Sequence, residues 1–313
     1  MNEKVKVLVN YLISYIFLGW SSVIVTLKLS SCGCFIMLRY LIFIPLFVLN
    51  ACTSGTSNIK NEQNLTPDEV YEKGYIALSQ KKYETAYQEW LTLAEKGDAQ
   101  AQYSIGWMYS KGLGVEKSIK KALDWYVKSA NQGFIDAQYS AGRAYLYYLQ
   151  QYEEAFKYFK LAAENDENKS QFYLGLMYYR GDGTNKDLKK SAYWFLQSAE
   201  KGNKDAQFYI GQMYELGEGV LQNDKYSLHW FNLAAKNGQQ DAQYKLAVIY
   251  YQGKMVPKND ITSYMWLNIS QYNGKDIQNM KSTIFDDLSQ SDINEAQRRS
   301  MECVESLYKH CYW

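Results

Sequence analysis

The sequence predicts an all-α fold, a solenoid built from antiparallel helix pairs. Two observations support this prediction. First, a small or apolar residue followed by Gln recurs every 33 to 36 residues, a spacing typical of two-helix repeat units. Second, no β pattern competes, and the 313 residues include only 3 Pro. The recurring positions are Ala101, Ala137, Ser170, Ala206, Ala242 and Ile277.

Equivalent positions predict the first helix of each unit. Counted from the recurring residue, the fifth position is aliphatic and the ninth is Tyr, which places both on one helical face. The sixth position is Gly in four units, although Gly inside a helix costs about 1 kcal/mol relative to Ala. We therefore expect a neighbouring helix to pass close to this glycine. The residues at the sixth position are Gly106, Gly142, Gly175, Gly211 and, in the last unit, Ala247.

A turn with paired glycines is predicted to end most first helices, because Gly readily adopts positive φ. After these turns we expect Ser118, Asp187, Asn223 and Asn259 to cap the second helix. Each second helix carries two adjacent bulky residues that we expect in the core, as in Trp194–Phe195. We also expect Asp136, Asp205, Asp241 and Asp276 to cap the first helix of the following unit.

The unit that starts at Ala137 departs from the others. The segment 147–151 replaces the glycine turn and makes this unit three residues shorter. We expect a tight turn between its two helices.

These motifs together resemble the Sel-1-like repeat (SLR), a relative of the tetratricopeptide repeat. The resemblance covers about residues 67–301 and implies a right-handed superhelical array that acts as an adaptor for other proteins. We expect no cofactor. The sequence as a whole divides into a possible upstream extension or membrane helix (1–36), a signal peptide (37–51), a tether (52–66), an opening unit (67–100), five repeats (101–136, 137–169, 170–205, 206–241 and 242–276) and a closing helix with its tail (277–313).

The amino-terminal region predicts a lipid anchor. Arg39 precedes an apolar run that ends in Leu49, and the following residues lead to Cys52 in an order that resembles a bacterial lipobox. We expect acylation of Cys52 and, from Thr53 by resemblance to enteric lipoproteins, an outer-membrane location facing the periplasm in a Gram-negative cell. The alternative is an incidental thiol. For residues 1–36, either Met37 is the true start or 8–26 forms a first membrane helix.

Two further cysteines close the predicted mature chain. Cys303 and Cys311 are eight residues apart, and in an oxidising compartment they could form a disulfide. The alternative is two free thiols at a frayed end.

Catalytic chemistry has little support in the sequence. The only two histidines, His229 and His310, cannot form a metal cluster or a His-based triad, and we expect His229 at the surface. The net charge of +1 gives no electrostatic reason to bind nucleic acid.

We therefore expect a non-catalytic envelope lipoprotein that acts as a protein-binding scaffold, in contact with a protein and, through Cys52, with the bilayer. One alternative is a β-lactam-binding or β-lactam-hydrolysing protein, as some SLR proteins have been linked to penicillin, although no Ser-x-x-Lys signature is set in a convincing pocket. Another is a surface factor that contacts a host protein.

The resemblance also implies where a partner binds. In SLR and tetratricopeptide arrays the first helices line the concave side, and the fourth and seventh positions of these helices differ between units. Trp, Tyr and Arg are the residues that dominate interface energetics. The alternative is that Trp107 and Tyr173 pack between helices. The candidate groove residues are Ser104, Trp107, Arg143, Tyr173, Leu176, Tyr209, Gln212 and Lys245.

Overall fold

The computed structural model describes residues 65–278, 280, 288–309 and 311. Cys52, the predicted signal peptide, the extension 1–36 and nearly all of the tether lie outside the described residues. The described residues form 13 α-helices and no strand. The helices are α1 Pro67–Ser79, α2 Tyr83–Glu95, α3 Ala99–Lys111, α4 Ile119–Ala130, α5 Ile135–Ala144, α6 Tyr152–Glu164, α7 Asn168–Arg180, α8 Leu188–Glu200, α9 Lys204–Leu216, α10 Asp224–Lys236, α11 Gln240–Gln252, α12 Asp260–Tyr272 and α13 Gln290–Glu305.

Successive helices pack against each other along the described chain, which confirms the predicted all-α solenoid. Helices α1 and α2 form the opening unit, the five pairs from α3–α4 to α11–α12 form units 1 to 5, and α13 packs on α12. Within the part of the chain that the structure covers, no helix combines the length and apolar character needed to span a bilayer.

The repeated glycine of the first helix lies against an aromatic ring of the second helix, as predicted. A Cβ atom on Gly106 would lie 2.7 Å from the ring of Tyr126, and one on Gly175 would lie 2.8 Å from Phe195. In unit 5 the equivalent residues are Ala247 and Leu267, both fully buried in one cluster. Among the described units, the one that has Ala instead of Gly at this position thus has Leu, and not an aromatic residue, on the facing helix.

The repeated Gln connects three helices. The Nε2 of Gln207 donates to the carbonyl of Ala199 (3.0 Å), and its Oε1 accepts from Nδ2 of Asn237 (2.9 Å). Units 1, 3 and 5 contain the same two links. In the shorter unit 2, the buried Oε1 of Gln138 has no hydrogen-bond partner among the described residues. The equivalent donor there is Asn165, which instead donates to Leu161 (2.8 Å).

The predicted second-helix caps are confirmed, whereas the first-helix caps are wrong. Ser118, Asp187, Asn223 and Asn259 each accept a hydrogen bond from a backbone N–H of the first turn. The first helices begin two residues earlier than predicted, so Asp136, Asp205 and Asp241 lie within the first turn. There they still complement the positive helix end. Asp276 lies outside any described helix. The capping side chains are those of Asp98, Glu167, Asn203 and Gln239.

The carboxyl-terminal segment closes the array. Cys303 and Cys311 form a disulfide with a Cα–Cα distance of 4.5 Å, and both side chains are buried. The Ser300 hydroxyl donates to the carbonyl of Met265 (3.2 Å) and joins α13 to α12.

Candidate partner-binding site

Unit 2 replaces the glycine turn with a π-helical turn, Tyr145–Leu149, that follows α5 without a break. The turn ends at Gln150, which takes the left-handed conformation with φ of 54° that Gly adopts in other units. Because this connection is short and lacks glycines, several of its large side chains remain in solvent. The exposed residues are Tyr147, Tyr148 and Leu149 in the turn, and Tyr152 at the start of α6 is exposed beside them.

A cavity of about 360 Å³ lies beside this turn. Helices α3, α4 and α5 form its walls, and the amino terminus of α7 and Tyr148 contribute to its rim. We call the cavity and the exposed side chains of the π turn the unit 2 site. The aromatic residues of the cavity are Tyr103, Trp107, Tyr126, Tyr139 and Tyr148, and its charged residues are Lys111, Asp136, Arg143, Glu167 and Lys169.

The tyrosines of the cavity wall are neutral at physiological pH. Burial raises the pKa of Tyr126 to about 12, and its hydroxyl donates to Ser110 Oγ (3.3 Å). Burial is also the main reason that the pKa values of Tyr103 and Tyr139 are raised, and the Asp136 carboxylate adds to the effect at Tyr103. These side chains therefore offer a ligand apolar ring faces and neutral hydroxyl groups.

Cations lie over these rings. The guanidinium of Arg143 is 5.7 Å from the ring centroid of Tyr139 and 5.9 Å from that of Tyr147. The ammonium of Lys169 is also 5.7 Å from the Tyr139 centroid. Cation–π contacts of this kind orient a cation without neutralising its charge. The site thus combines aromatic surface with positive charge.

The residues predicted at the fourth position mainly pack between helices. Ser104 is buried, and its hydroxyl is hydrogen-bonded to the Gln100 carbonyl and to the hydroxyl of Tyr71 (both 3.0 Å). This placement corrects the prediction that Ser104 faces a groove. Tyr173 stacks on Phe159 of the preceding unit, with ring centroids 4.7 Å apart. The same position is occupied by Tyr209, which stacks on Phe195, and by Lys245, which pairs with Glu215.

The seventh position supplies two residues of the unit 2 site. Trp107 and Arg143 both line the cavity, and Trp107 is also packed against the core. Leu176 packs against the cluster around Phe195, and Gln212 is half-buried outside the cavity lining. The structure therefore brings together two of the eight candidate residues.

Sequence reasoning missed the third position, which supplies Tyr103 and Tyr139 to the cavity. A signal was available, because every unit has an aromatic residue there: Tyr103, Tyr139, Phe172, Phe208 and Tyr244. Lys111, Lys169 and Tyr148 were also missed, since they come from helix ends and from the irregular turn.

The described residues contain no group of His, Cys, Asp and Glu side chains arranged to bind a metal ion. His229 is exposed, as predicted for a surface position.

Comparison with known proteins places these features in a family. The family model "Sel1 repeat" matches residues 99–134, 135–167, 168–203, 204–239 and 240–270, more than half of the chain. A sel1-like repeat-containing protein of Acanthamoeba polyphaga mimivirus is 39% identical over 87 residues, or 28% of this chain. The ERAD-associated E3 ubiquitin-protein ligase component HRD3B of Arabidopsis thaliana is 33% identical over 100 residues, or 32% of this chain. The aligned parts cover 16% of each of these two relatives.

Solved structures agree with this assignment. A protective antigen of uropathogenic Escherichia coli strains with an SLR fold is 28% identical, with a TM-score of 0.66, and the match covers 72% of this chain and 50% of that one. A Sel1 repeat protein from Oxalobacter formigenes is 32% identical, with a TM-score of 0.60, and the match covers 66% of this chain and 83% of that one. The chain therefore belongs to the Sel1 repeat family.

Proposed function

We propose that this chain is a non-catalytic scaffold that binds another protein at the unit 2 site. The observation that carries the proposal is the coincidence of the irregular turn with the cavity. Repeats 1, 3 and 4 use the glycine turn, whereas unit 2 exposes a cluster of Tyr and Leu side chains. Departure from local regularity is expected at functional sites, and Tyr is enriched among residues that dominate interfaces.

Family membership supports the same function. Sel1 repeat proteins generally act as protein-interaction adaptors, and the similar HRD3B is a component of a larger ligase assembly. Stacked helix pairs also suit this role, because they provide an extended surface whose shape the repeats hold fixed.

In-cell photo-crosslinking tests this proposal. A benzoylphenylalanine residue replaces Tyr148, which is 62% exposed at the cavity rim, and in a second variant it replaces Tyr147, which is 55% exposed on the π turn. Tyr193 on α8 is the matched control, because it is 55% exposed and lies outside the site. We expect both site variants to capture the same protein and the control to capture none. Capture from position 193 alone, or from no position, would contradict the proposal.

We further propose that acylated Cys52 holds this scaffold in the cell envelope, at the periplasmic face of the outer membrane in a Gram-negative host. The support is the lipobox-like sequence around Cys52 and the polar segment after it. The test compares the full chain with its Cys52→Ser variant by intact mass and membrane partition. We expect the variant to lose the mass of the lipid and to leave the membrane fraction. If the two masses differ only by the exchange of sulfur for oxygen, and the two proteins partition equally, the anchor is refuted.

A further inference from the structure

The unit 2 site has more positive charge than its own carboxylates neutralise. Lys111, Arg143 and Lys169 line the cavity and are exposed, yet none of them forms an ion pair within the described part of the chain. Elsewhere in the described part of the chain, half-buried lysines form ion pairs with carboxylates. Lys245 pairs with Glu215 (2.7 Å), and Lys275 pairs with Asp241 (2.6 Å).

The two carboxylates of the cavity interact with the amino-terminal ends of helices. Glu167 is the N-cap of α7, and its side chain accepts hydrogen bonds from the backbone N–H groups of Lys169 and Ser170. Its negative charge is therefore partly balanced by the positive end of that helix. Asp136 lies in the first turn of α5, where it complements the end of that helix in the same way. Neither carboxylate occupies the donors of the Arg143 guanidinium.

One N–H of Arg143 is hydrogen-bonded to the Tyr139 hydroxyl, and the position of the guanidinium leaves its other donors available. Its guanidinium is located beside the rings of Tyr139 and Tyr147, and ring faces do not use the N–H groups of the cation. A guanidinium held in this way can bind a carboxylate through two parallel hydrogen bonds. The exposed rings of Tyr147 and Tyr148 offer apolar surface next to that cation.

We infer that the unit 2 site recognises an acidic segment of its protein partner, in which an Asp or Glu side chain stands next to an aromatic or large aliphatic side chain. This inference rests on the proposed protein-binding function and adds the chemistry of the partner. The carboxylate binds Arg143, Lys111 and Lys169 strengthen the local positive potential, and the apolar neighbour packs on Tyr147 and Tyr148. Charge complementarity thus selects an acidic segment over a neutral or basic one.

A peptide array tests the inference with the full-length protein in a mild detergent. The array holds ten-residue peptides with varied apolar flanks and with Glu, Gln or Lys at the central position. We expect the Glu peptides to bind about tenfold more tightly than their Gln counterparts, since only a carboxylate can accept two charge-assisted hydrogen bonds from the guanidinium. The preference should shrink as salt is added, because the site is open to solvent.

Two arginine variants locate the effect. Arg143→Gln should remove the preference for Glu over Gln, whereas Arg180→Gln should keep it, because Arg180 is exposed at the end of α7 and outside the cavity. Equal binding of the Glu and Gln peptides, no binding by any peptide, or a preference that survives Arg143→Gln would each overturn the inference.

The crosslinking experiment separates failure of this inference from failure of the proposed function. Capture of a partner through a neutral or basic segment would leave the scaffold function intact and refute the acidic segment. Capture of a second copy of this chain through a surface without acidic residues would do the same. Loss of all crosslinks would refute the function itself.

Discussion

The fit between Gly175 and Phe195 allows a quantitative test of how the repeats pack. Substitution of Gly175 by Ala places a Cβ atom 2.8 Å from Cδ1 of the Phe195 ring and 3.1 Å from its Cγ. The ring cannot move away freely, because it is fully buried and its other neighbour, Tyr209, stacks on it at 5.0 Å. Overpacking of this kind costs about 1–3 kcal/mol.

The same substitution also has a favourable effect. Ala is better than Gly inside a helix by about 1 kcal/mol. We therefore expect Gly175→Ala to lower the free energy of unfolding by about 1 kcal/mol. In a Phe195→Leu background the ring is absent, so the added methyl group should instead raise the free energy of unfolding by about 1 kcal/mol. Unit 5 contains this combination naturally, as Ala247 with Leu267.

The assay is a double-mutant cycle measured by urea unfolding of the full-length protein, followed by circular dichroism. The two expectations for Gly175→Ala differ by about 2 kcal/mol, which is within the range of coupling energies for residues in contact. Phe195→Leu alone provides the reference for the loss of the ring. An effect of Gly175→Ala that is the same in both backgrounds would refute the reasoning that the ring requires glycine.

Three other properties can be tested by the same unfolding assay. Gln207→Leu removes two hydrogen bonds of the buried Gln207 amide, one to the Ala199 carbonyl and one from Asn237, and should lower the free energy of unfolding by about 1–3 kcal/mol; an unchanged midpoint would show that these two bonds add no stability. Cys311→Ser opens the disulfide to Cys303 and should lower the free energy of unfolding by up to about 2–3 kcal/mol. In the unreduced native protein neither of these two cysteines should react as a free thiol, and reaction of both would contradict the disulfide. Hydrogen bonds from Arg298 are the main cause that lowers the pKa of Glu295 from 4.5 to about 2. The Glu295 carboxylate should therefore stabilise the fold fully above its unfolded pKa, and this stabilisation should disappear as the pH falls toward about 2. If the free energy of unfolding falls equally between about pH 6 and about pH 3 in the native protein and in Glu295→Gln, this origin is wrong.

The sequence predicts those parts of the fold in which one residue type has one structural use. The caps at Ser118 and Asn223 were predictable, because a polar residue after a glycine turn has few other roles. The close helix contact at Gly175 was predictable, because only a steric demand explains a repeated mid-helix glycine. The first-helix caps were assigned wrongly, because a carboxylate such as Asp205 suits the first turn as well as the cap.

The site was less predictable, because it depends on contacts between helices. Arg143 and Trp107 were found from their variation between units, but Ser104 was misplaced, since equal variation occurs at positions that pack against a neighbouring unit. The cavity arises where three helices meet beside a shortened unit. A local pattern shows that the turn is short, and it does not show that Tyr148 reaches the cavity rim.

The measurement that tests the central claim most directly is the yield of partner crosslinked from position 148, compared between the otherwise unchanged protein and its Arg143→Glu variant. Arg143 is exposed, so the variant should fold normally, which the helical circular dichroism signal would verify. We predict that reversal of this charge reduces the yield at least severalfold, because an acidic segment is then repelled from the site. An unchanged yield from a folded variant would contradict the claim that this chain binds its partner through the charge and aromatic surface of the unit 2 site.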